Sequence, residues 1–216
     1  MHILLSGYSR EVGPHPNVGG LIQPRNWTRA TPWVAARRVW AVDNDFKRFD
    51  PQQFLRLLEL LRAEHPDPVS AGCLFVAVPD VFGDWPATLR QWHAWRDQVW
   101  GYNMPMALVI QDGATVRSVP WRSFRTFWRD GGAFSGAIFI GGSMAWKYSE
   151  DVAAITRVAN RLRLHVHWGR GNSRKALSYA KEIGCDTLDG GGFSLFRKHL
   201  AWGAPLAAAD FQPRLL

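Results

Sequence analysis

The sequence predicts an α/β fold, a compact TIM-type (β/α)8 barrel with some of its helices shortened. Eight short apolar runs recur along the chain, amphipathic stretches alternate with them, and nearly every run ends in an acid, an amide or a pair of glycines. Continuous apolarity over a strand's length suits burial on both faces, as in a parallel sheet. Serial β and α units leave a doubly wound sheet or a barrel, and eight strands favour the barrel. The 216 residues are fewer than a typical barrel uses, which is why some helices must be short or missing.

The strand candidates, in order, are HILLSG (2–7), GGLIQ (19–23), VWAVD (39–43), CLFVAVPD (73–80), MALVIQD (106–112), GAIFIGG (136–142), LHVHWG (164–169) and CDTLD (185–189). Helical periodicity lies between them. Over 51–64, Phe54, Leu57, Leu58 and Leu61 form one stripe, with Pro51 at the first helical position behind Asp50 as N-cap. Over 149–163, Val152, Ile155, Val158 and Leu162 form another behind Ser149, and a third helix runs from Ser173 to a C-cap at Gly184. The tryptophans at 85, 92, 95 and 100 suit helix packing and surface wedges. Residues 8–38, rich in Pro, Gly and Arg, read as irregular, and 203–216 as a loose tail. Residues 1–216 read as one domain, since 47% hydrophobic content can build a sizeable core.

Composition bounds the function classes. The apolar runs are far short of the roughly 20 residues that cross a bilayer, and the first residues read as a strand and not a leader, so a cytoplasmic protein without membrane contact is expected. The two cysteines, Cys73 and Cys185, cannot build a thiol zinc site or a disulfide framework. A net charge of +8, carried mainly by arginine, suits a polyanion such as nucleic acid; a basic surface kept for solubility is the other reading.

Polar residues collect where the strands end. Asp43, Asn44 and Asp45, then Asp80, Gln111 with Asp112, Gly141 with Gly142, Gly169 to Asn172, and Asp186 with Asp189 all fall at C-terminal strand edges, the rim where parallel α/β folds bind ligands. Asp, Asn and Gly are also ordinary turn and cap residues, which accounts for each of them singly but poorly for Gln111. Carboxylates, an amide and glycine N–H groups suit a ligand with several donors and a carbonyl, such as a purine, and a second carboxylate there could attack an anomeric carbon. The turn Gly169, Arg170, Gly171 and Asn172, ahead of a helix, offers backbone amides to a phosphate. Trp146 and Lys147 follow the glycine pair, where they could stack on or clamp a substrate. Arg25, Arg29, Arg37 and Arg38 are candidates for phosphate-backbone contact, a solvated face being the ordinary reading. His165 and His167 lie on one side of a strand, and an interior hydrogen-bonded role is favoured over metal binding because no third ligand is placed.

The ordered set AVDNDF, VAVPDVFGD, ALVIQDG, FIGGSMAWKYS, HWGRGNS and GCDTLDG, spanning about residues 19–193, resembles the queuine/archaeosine tRNA-guanine transglycosylase superfamily, and most of all its compact phage-type DNA-guanine transglycosylases. The resemblance implies exchange of guanine in DNA for a 7-deazaguanine base, with DNA, guanine and the deazaguanine as partners, in a host cytoplasm if phage-encoded; from the residues themselves no metal or cofactor is expected. It implies Asp189 as a nucleophile forming a covalent aspartyl-glycosyl intermediate and Asp43 as the second active-site aspartate. Asp80, Gln111, Gly141 and Gly142 would hold the base, and Asp186 would be supporting structure. The chain lacks that superfamily's zinc-binding cysteine cluster, and Asp45 adds a charge the family pattern does not contain. A tRNA- or nucleoside-directed transglycosylase or glycosidase, and a non-catalytic nucleic-acid-binding relic, are the alternatives.

Overall fold

The computed structural model describes residues 1–6, 15–26, 30–124, 126–129, 132–195 and 197–209. Eight parallel strands close into a barrel in the order β1 (His2–Leu5), β2 (Val18–Ile22), β3 (Trp40–Val42), β4 (Cys73–Ala77), β5 (Met106–Ile110), β8 (Ala137–Ile140), β9 (His165–Trp168) and β10 (Thr187–Asp189), which returns to pair with β1. All eight coincide with the apolar runs of the sequence, for the reason expected: strands walled by helices outside and by one another inside are apolar on both faces.

Between β5 and β8 the chain forms an antiparallel hairpin, β6 (Thr126–Arg129) and β7 (Gly132–Ser135), registered Thr126 opposite Ser135. A helix that the short chain does without is replaced here. The other described connections from β2 onward carry α1 (Thr31–Ala35), α2 (Pro51–Glu64), α3 (Trp85–Trp100), α4 (Met144–Lys147), α5 (Glu150–Arg161), α6 (Arg174–Ile183), α7 (Gly191–Leu195) and α8 (Arg197–Ala208). Their ends follow local chemistry. The Asp50 side chain accepts from the amides of Gln52 and Gln53 ahead of α2, Asp84 caps α3, Ser149 caps α5 and Ser173 caps α6, while Gly184 closes α6 at φ 91°.

Around the predicted strand, which is β2, the stretch read as irregular also contains α1, and the one read as a loose tail is helical as far as Ala208. Ala204 and Ala207 are buried there, and the Asn17 side chain donates to Ala204 O at 2.8 Å. Small residues packed against β1 hold this helix although Pro205 lies within it. No helix among the described residues is long and apolar enough to cross a membrane.

Two apolar regions follow from the strand alternation. The larger lies between barrel and helices; the smaller, Leu4, Leu21, Ala41, Phe75, Ala107 and Ala137 with Phe139 against them, fills the barrel itself. The period of two then fixes the mouth: beyond inward Leu21, Ala41, Ala107 and Ala137, the residues two or four places on are Gln23, Asp43, Gln111 and Gly141. The same alternation points His165, His167, Thr187 and Asp189 inward and sends Val166, Trp168 and Leu188 into the outer core.

Candidate active site at the barrel mouth

A small cavity of about 60 Å3 sits at the C-terminal ends of the strands. Its wall carries the carboxylates Asp43, Asp80 and Asp189, the amide of Gln111, and the cations Lys147 and Arg170. Gly141, Gly142 and Gly169 line it as well, under a roof formed by Phe46 and Phe82.

The three acids differ in their partners. Asp80 is bonded at both oxygens: Asn44 Nδ2 donates to Oδ1 at 2.7 Å and Gln111 Nε2 to Oδ2 at 2.6 Å. Burial nevertheless pushes its carboxyl up to about 6, against those two hydrogen bonds and the Arg170 charge. Asp43 accepts from Gln23 Nε2 at 2.6 Å on Oδ2 and from the Asp45 amide at 3.4 Å on Oδ1. Burial raises it to about 7; the Gln23 hydrogen bond opposes the rise, and the charges of Asp189 and Asp80 reinforce it. Asp189 takes the Arg170 amide at 2.9 Å and meets His167 Nε2 at 3.1 Å, both at Oδ1. Among the described residues no hydrogen bond is formed by Asp189 Oδ2, and the side chain keeps 16% of its surface open.

The cations have fixed places. Lys147 is completely buried on α4 and donates to Gly169 O. Burial and the repulsion of Arg170 lower its ammonium from 10.5 to about 8, while Asp189 and Asp112 pull the other way. With no exposed surface, the amine acts as a charge set in the wall. Arg170 sits in the left-handed region at φ 57°; its Nη2 donates to Gly142 O at 2.7 Å, and its guanidinium lies 4.6 Å from the Phe82 ring centre and 5.9 Å from that of Phe46. Phe46 and Phe82 stack on each other with centres 5.6 Å apart. Phe82 remains 46% exposed, so an aromatic and guanidinium cover lies over the cavity with one face in water.

Glycine is required at the pair beside β8. A Cβ on Gly141 would stand 2.6 Å from Gln111 Nε2, and one on Gly142, whose φ is 75°, would stand 2.5 Å from Asp112 Oδ2. Asp112 in turn accepts the Ser143 amide and hydroxyl, which hold its carboxyl below the usual range although burial works in the opposite sense.

Several groups singled out in the sequence are committed within the protein. Gln111 spends Nε2 on Asp80 and takes the Gly83 amide on Oε1 at 3.0 Å; the Gly141 amide is bonded to Ile110 O. In the turn proposed for phosphate, Gly169 N donates to Ile140 O, Arg170 N to the Asp189 side chain and Gly171 N to Asp189 O, while Asn172 Oδ1 accepts from Gly192 N. That turn holds Asp189 in place. Trp146 lays its ring beside Gly142, and the cavity wall is reached by Lys147 beside it. Arg25 lies at the mouth in an ion pair of 3.1 Å with Asp45, which accounts for the extra acid. Arg37 and Arg38 precede β3 and belong to the opposite rim, where Arg38 bonds to His15 O; Arg29 lies outside the described residues. Asp186 accepts the Val166 amide at 2.8 Å, again at that opposite rim. Among the described residues no group of three metal-ligating side chains is assembled.

The sequence did not single out Gln23, Phe46, Phe82 and Thr187. The period-two continuation of β2 could have found Gln23, and that of β10 Thr187. The pairing of Phe46 with Phe82 joins two loops 36 positions apart and left no local signal.

No protein-family model matches the chain, and no curated protein does. Similar solved structures include an HpcH/HpaI aldolase from Desulfitobacterium hafniense (11% identity, TM-score 0.49, covering 100% of this chain and 94% of that one). A 3-hexulose-6-phosphate synthase (12%, 0.47, 98% and 100%) and a native KDPGal structure (14%, 0.47, 96% and 91%) are further ones. The resemblance to guanine transglycosylases is corrected accordingly: no family model and no curated protein supports it, and none of the solved structures named is described as one. Exchange of guanine for a 7-deazaguanine in DNA through an aspartyl-glycosyl intermediate is withdrawn with it, as are its tRNA, nucleoside and relic alternatives. The physical reason is plain in the site. Short strand, acid and glycine motifs in barrel order also follow from a rim of this geometry, so their order alone does not identify a family.

Proposed function

We propose that the chain is an enzyme performing general acid–base chemistry on a small polar substrate held in the barrel mouth. Asp43 is the acid and Asp189 the base. The observation that carries this reading is the pairing of unlike carboxyls in one cavity: Asp43, raised to about 7, retains a proton near neutral pH, while Asp189 offers an unengaged Oδ2. Carboxyls whose surroundings differ in this way divide the roles of donor and acceptor. Asp80, bonded at both oxygens, is the scaffold that fixes Gln111 and Asn44. Lys147 and Arg170 offset negative charge developing beside Asp189.

The reading is tested by incubating the protein with a panel of small hydroxy-, oxo- and amino-compounds and following consumption by proton NMR. Turnover of at least one compound is expected, with a rate that falls as pH rises through about 7 and is lost in both Asp43→Asn and Asp189→Asn. Turnover that survives Asp189→Asn, or that is indifferent to pH near 7, refutes the assignment.

A further inference from the structure

Behind Asp189 a file of polar side chains runs down the inside of the barrel. His167 Nε2 lies 3.1 Å from Asp189 Oδ1, His167 Nδ1 2.7 Å from Thr187 Oγ1, and Thr187 Oγ1 2.8 Å from His165 Nε2. His165 Nδ1 ends 4.0 Å from Asp186 Oδ2, at the rim opposite the cavity. Thr187 and His167 are fully buried, and the file is sheathed in aromatic carbon: the Phe75 ring centre is 5.1 Å from His167 and 5.7 Å from His165, and that of Phe139 is 4.5 Å from His167.

Two adjacent strands make this file. β9 and β10 are paired with Thr187 opposite His167, so the inward residues of each alternate along the axis. An all-apolar interior would satisfy packing alone. Polar atoms in such a place persist when each has a partner, and here the partners form one continuous line from rim to rim.

We infer that His165, Thr187 and His167 form a proton relay joining Asp189 at the mouth to the opposite rim of the barrel. The threonine hydroxyl has a single proton, so it donates to one imidazole and accepts from the other, and the whole file has one direction at a time. With Asp189 protonated on Oδ2, rotation of the carboxyl brings the acid proton to His167 Nε2, the Nδ1 proton of His167 passes to Thr187, the threonine proton passes to His165 Nε2, and the Nδ1 proton of His165 leaves at the far rim. One proton crosses. Asp189 is left as the carboxylate, both histidines end neutral with the proton on Nε2, and the hydroxyl has turned toward His167. The inference rests on Asp189 being the base of the proposed reaction: the relay clears the proton that Asp189 collects without returning it through the occupied cavity.

Other titratable groups face both ends. Lys147, Arg170 and Asp43 surround Asp189, and Asp186 with the Met1 amine and Cys185 surrounds the end at His165. The relay therefore has to be separated from simple charge effects. Protein carrying 15N-labelled histidine and 13C-labelled aspartate is titrated by NMR, in wild type, Thr187→Ser and Thr187→Val. In wild type the two ring nitrogens of His165 are expected to move in opposite directions, the mark of a tautomer exchange, at the midpoint of the Asp189 carboxyl. The serine variant should retain this coincidence and the valine variant lose it, with amide spectra confirming the fold of each. A His165 that does not change tautomer at the Asp189 midpoint in wild type overturns the relay, and that comparison decides even if the valine variant fails to fold. Coincidence persisting in a folded valine variant overturns it as well, showing coupling through space. Failure of the acid–base reading is distinct: it would appear as turnover without Asp189 while the tautomer exchange stood.

Discussion

Gln23 Nε2 donates to Asp43 Oδ2 across 2.6 Å, joining the ends of two neighbouring barrel strands at the mouth. This hydrogen bond stabilises the charged carboxylate and works against burial. Gln23→Leu is therefore expected to raise the Asp43 midpoint further above about 7, by on the order of one pH unit, since hydrogen bonds to charged groups are worth about 1.5–3 kcal/mol. Carboxyl 13C NMR measures it, and a fall in the midpoint contradicts the geometry.

Stability should decline between weakly acidic and weakly alkaline pH. Asp43 and Asp80 keep their protons in the fold up to about 7 and about 6, whereas in the unfolded chain they lose them near pH 4. The folded state binds more protons across that window, so the stability these groups contribute falls as pH rises through it. Asp43→Asn should flatten this dependence, measured as the difference in Tm between pH 5 and pH 8. A variant whose slope equals that of the wild type would contradict a raised Asp43.

Lys147 makes the opposite prediction at higher pH. Its amine loses the proton near 8 in the fold, against 10.5 in the free side chain, so across that window the unfolded chain binds more protons and stability rises with pH. Compared with Lys147→Met, the wild type should gain stability from pH 8 to pH 10. Denaturant melts at the two pH values read the change, and a constant difference would remove the buried charge from the account.

Arg170 combines a strained backbone with a working side chain. Arg170→Ala and Arg170→Gly both remove the bond to Gly142 O and the contact with Phe82, but only alanine keeps the strain of φ 57°. Glycine should be the milder substitution by about 1 kcal/mol, the cost of the left-handed region for a residue with a Cβ. Equal losses in urea unfolding would contradict a strain set by the backbone.

The barrel was legible because its strands are apolar on both faces and its helices carry local caps. Asp50 with Pro51, Ser149, and Ser173 with Gly184 mark ends that depend on a few adjacent residues. The rim was legible for a related reason: period two carries Asp43, Gln111 and Asp189 to the inner edge wherever the strand is placed. What those residues hold was not legible. The Gln111 amide meets Asp80 31 positions away, and Asp189 is held by Arg170 and His167 from the neighbouring strand and its loop. Such pairings are set by strand register around the closed barrel. The family resemblance failed at the same point, because motifs that record the ends of strands do not record which of their polar groups remain open.

The strands of this barrel are three to five residues long. At about 3.3 Å per residue, the four residues of β9 carry the chain only about 13 Å from floor to mouth. The interior is accordingly a thin partition between two aqueous compartments, and bulk salt does not enter it to screen one side from the other. A charge added or removed near Asp186 on the floor reaches the acids of the mouth through protein, weakened by that distance and by the water at the rim. Substitutions at the far rim, which an inspection of the cavity alone would pass as remote, thereby become a means of adjusting acidity in the pocket without touching any residue that lines it.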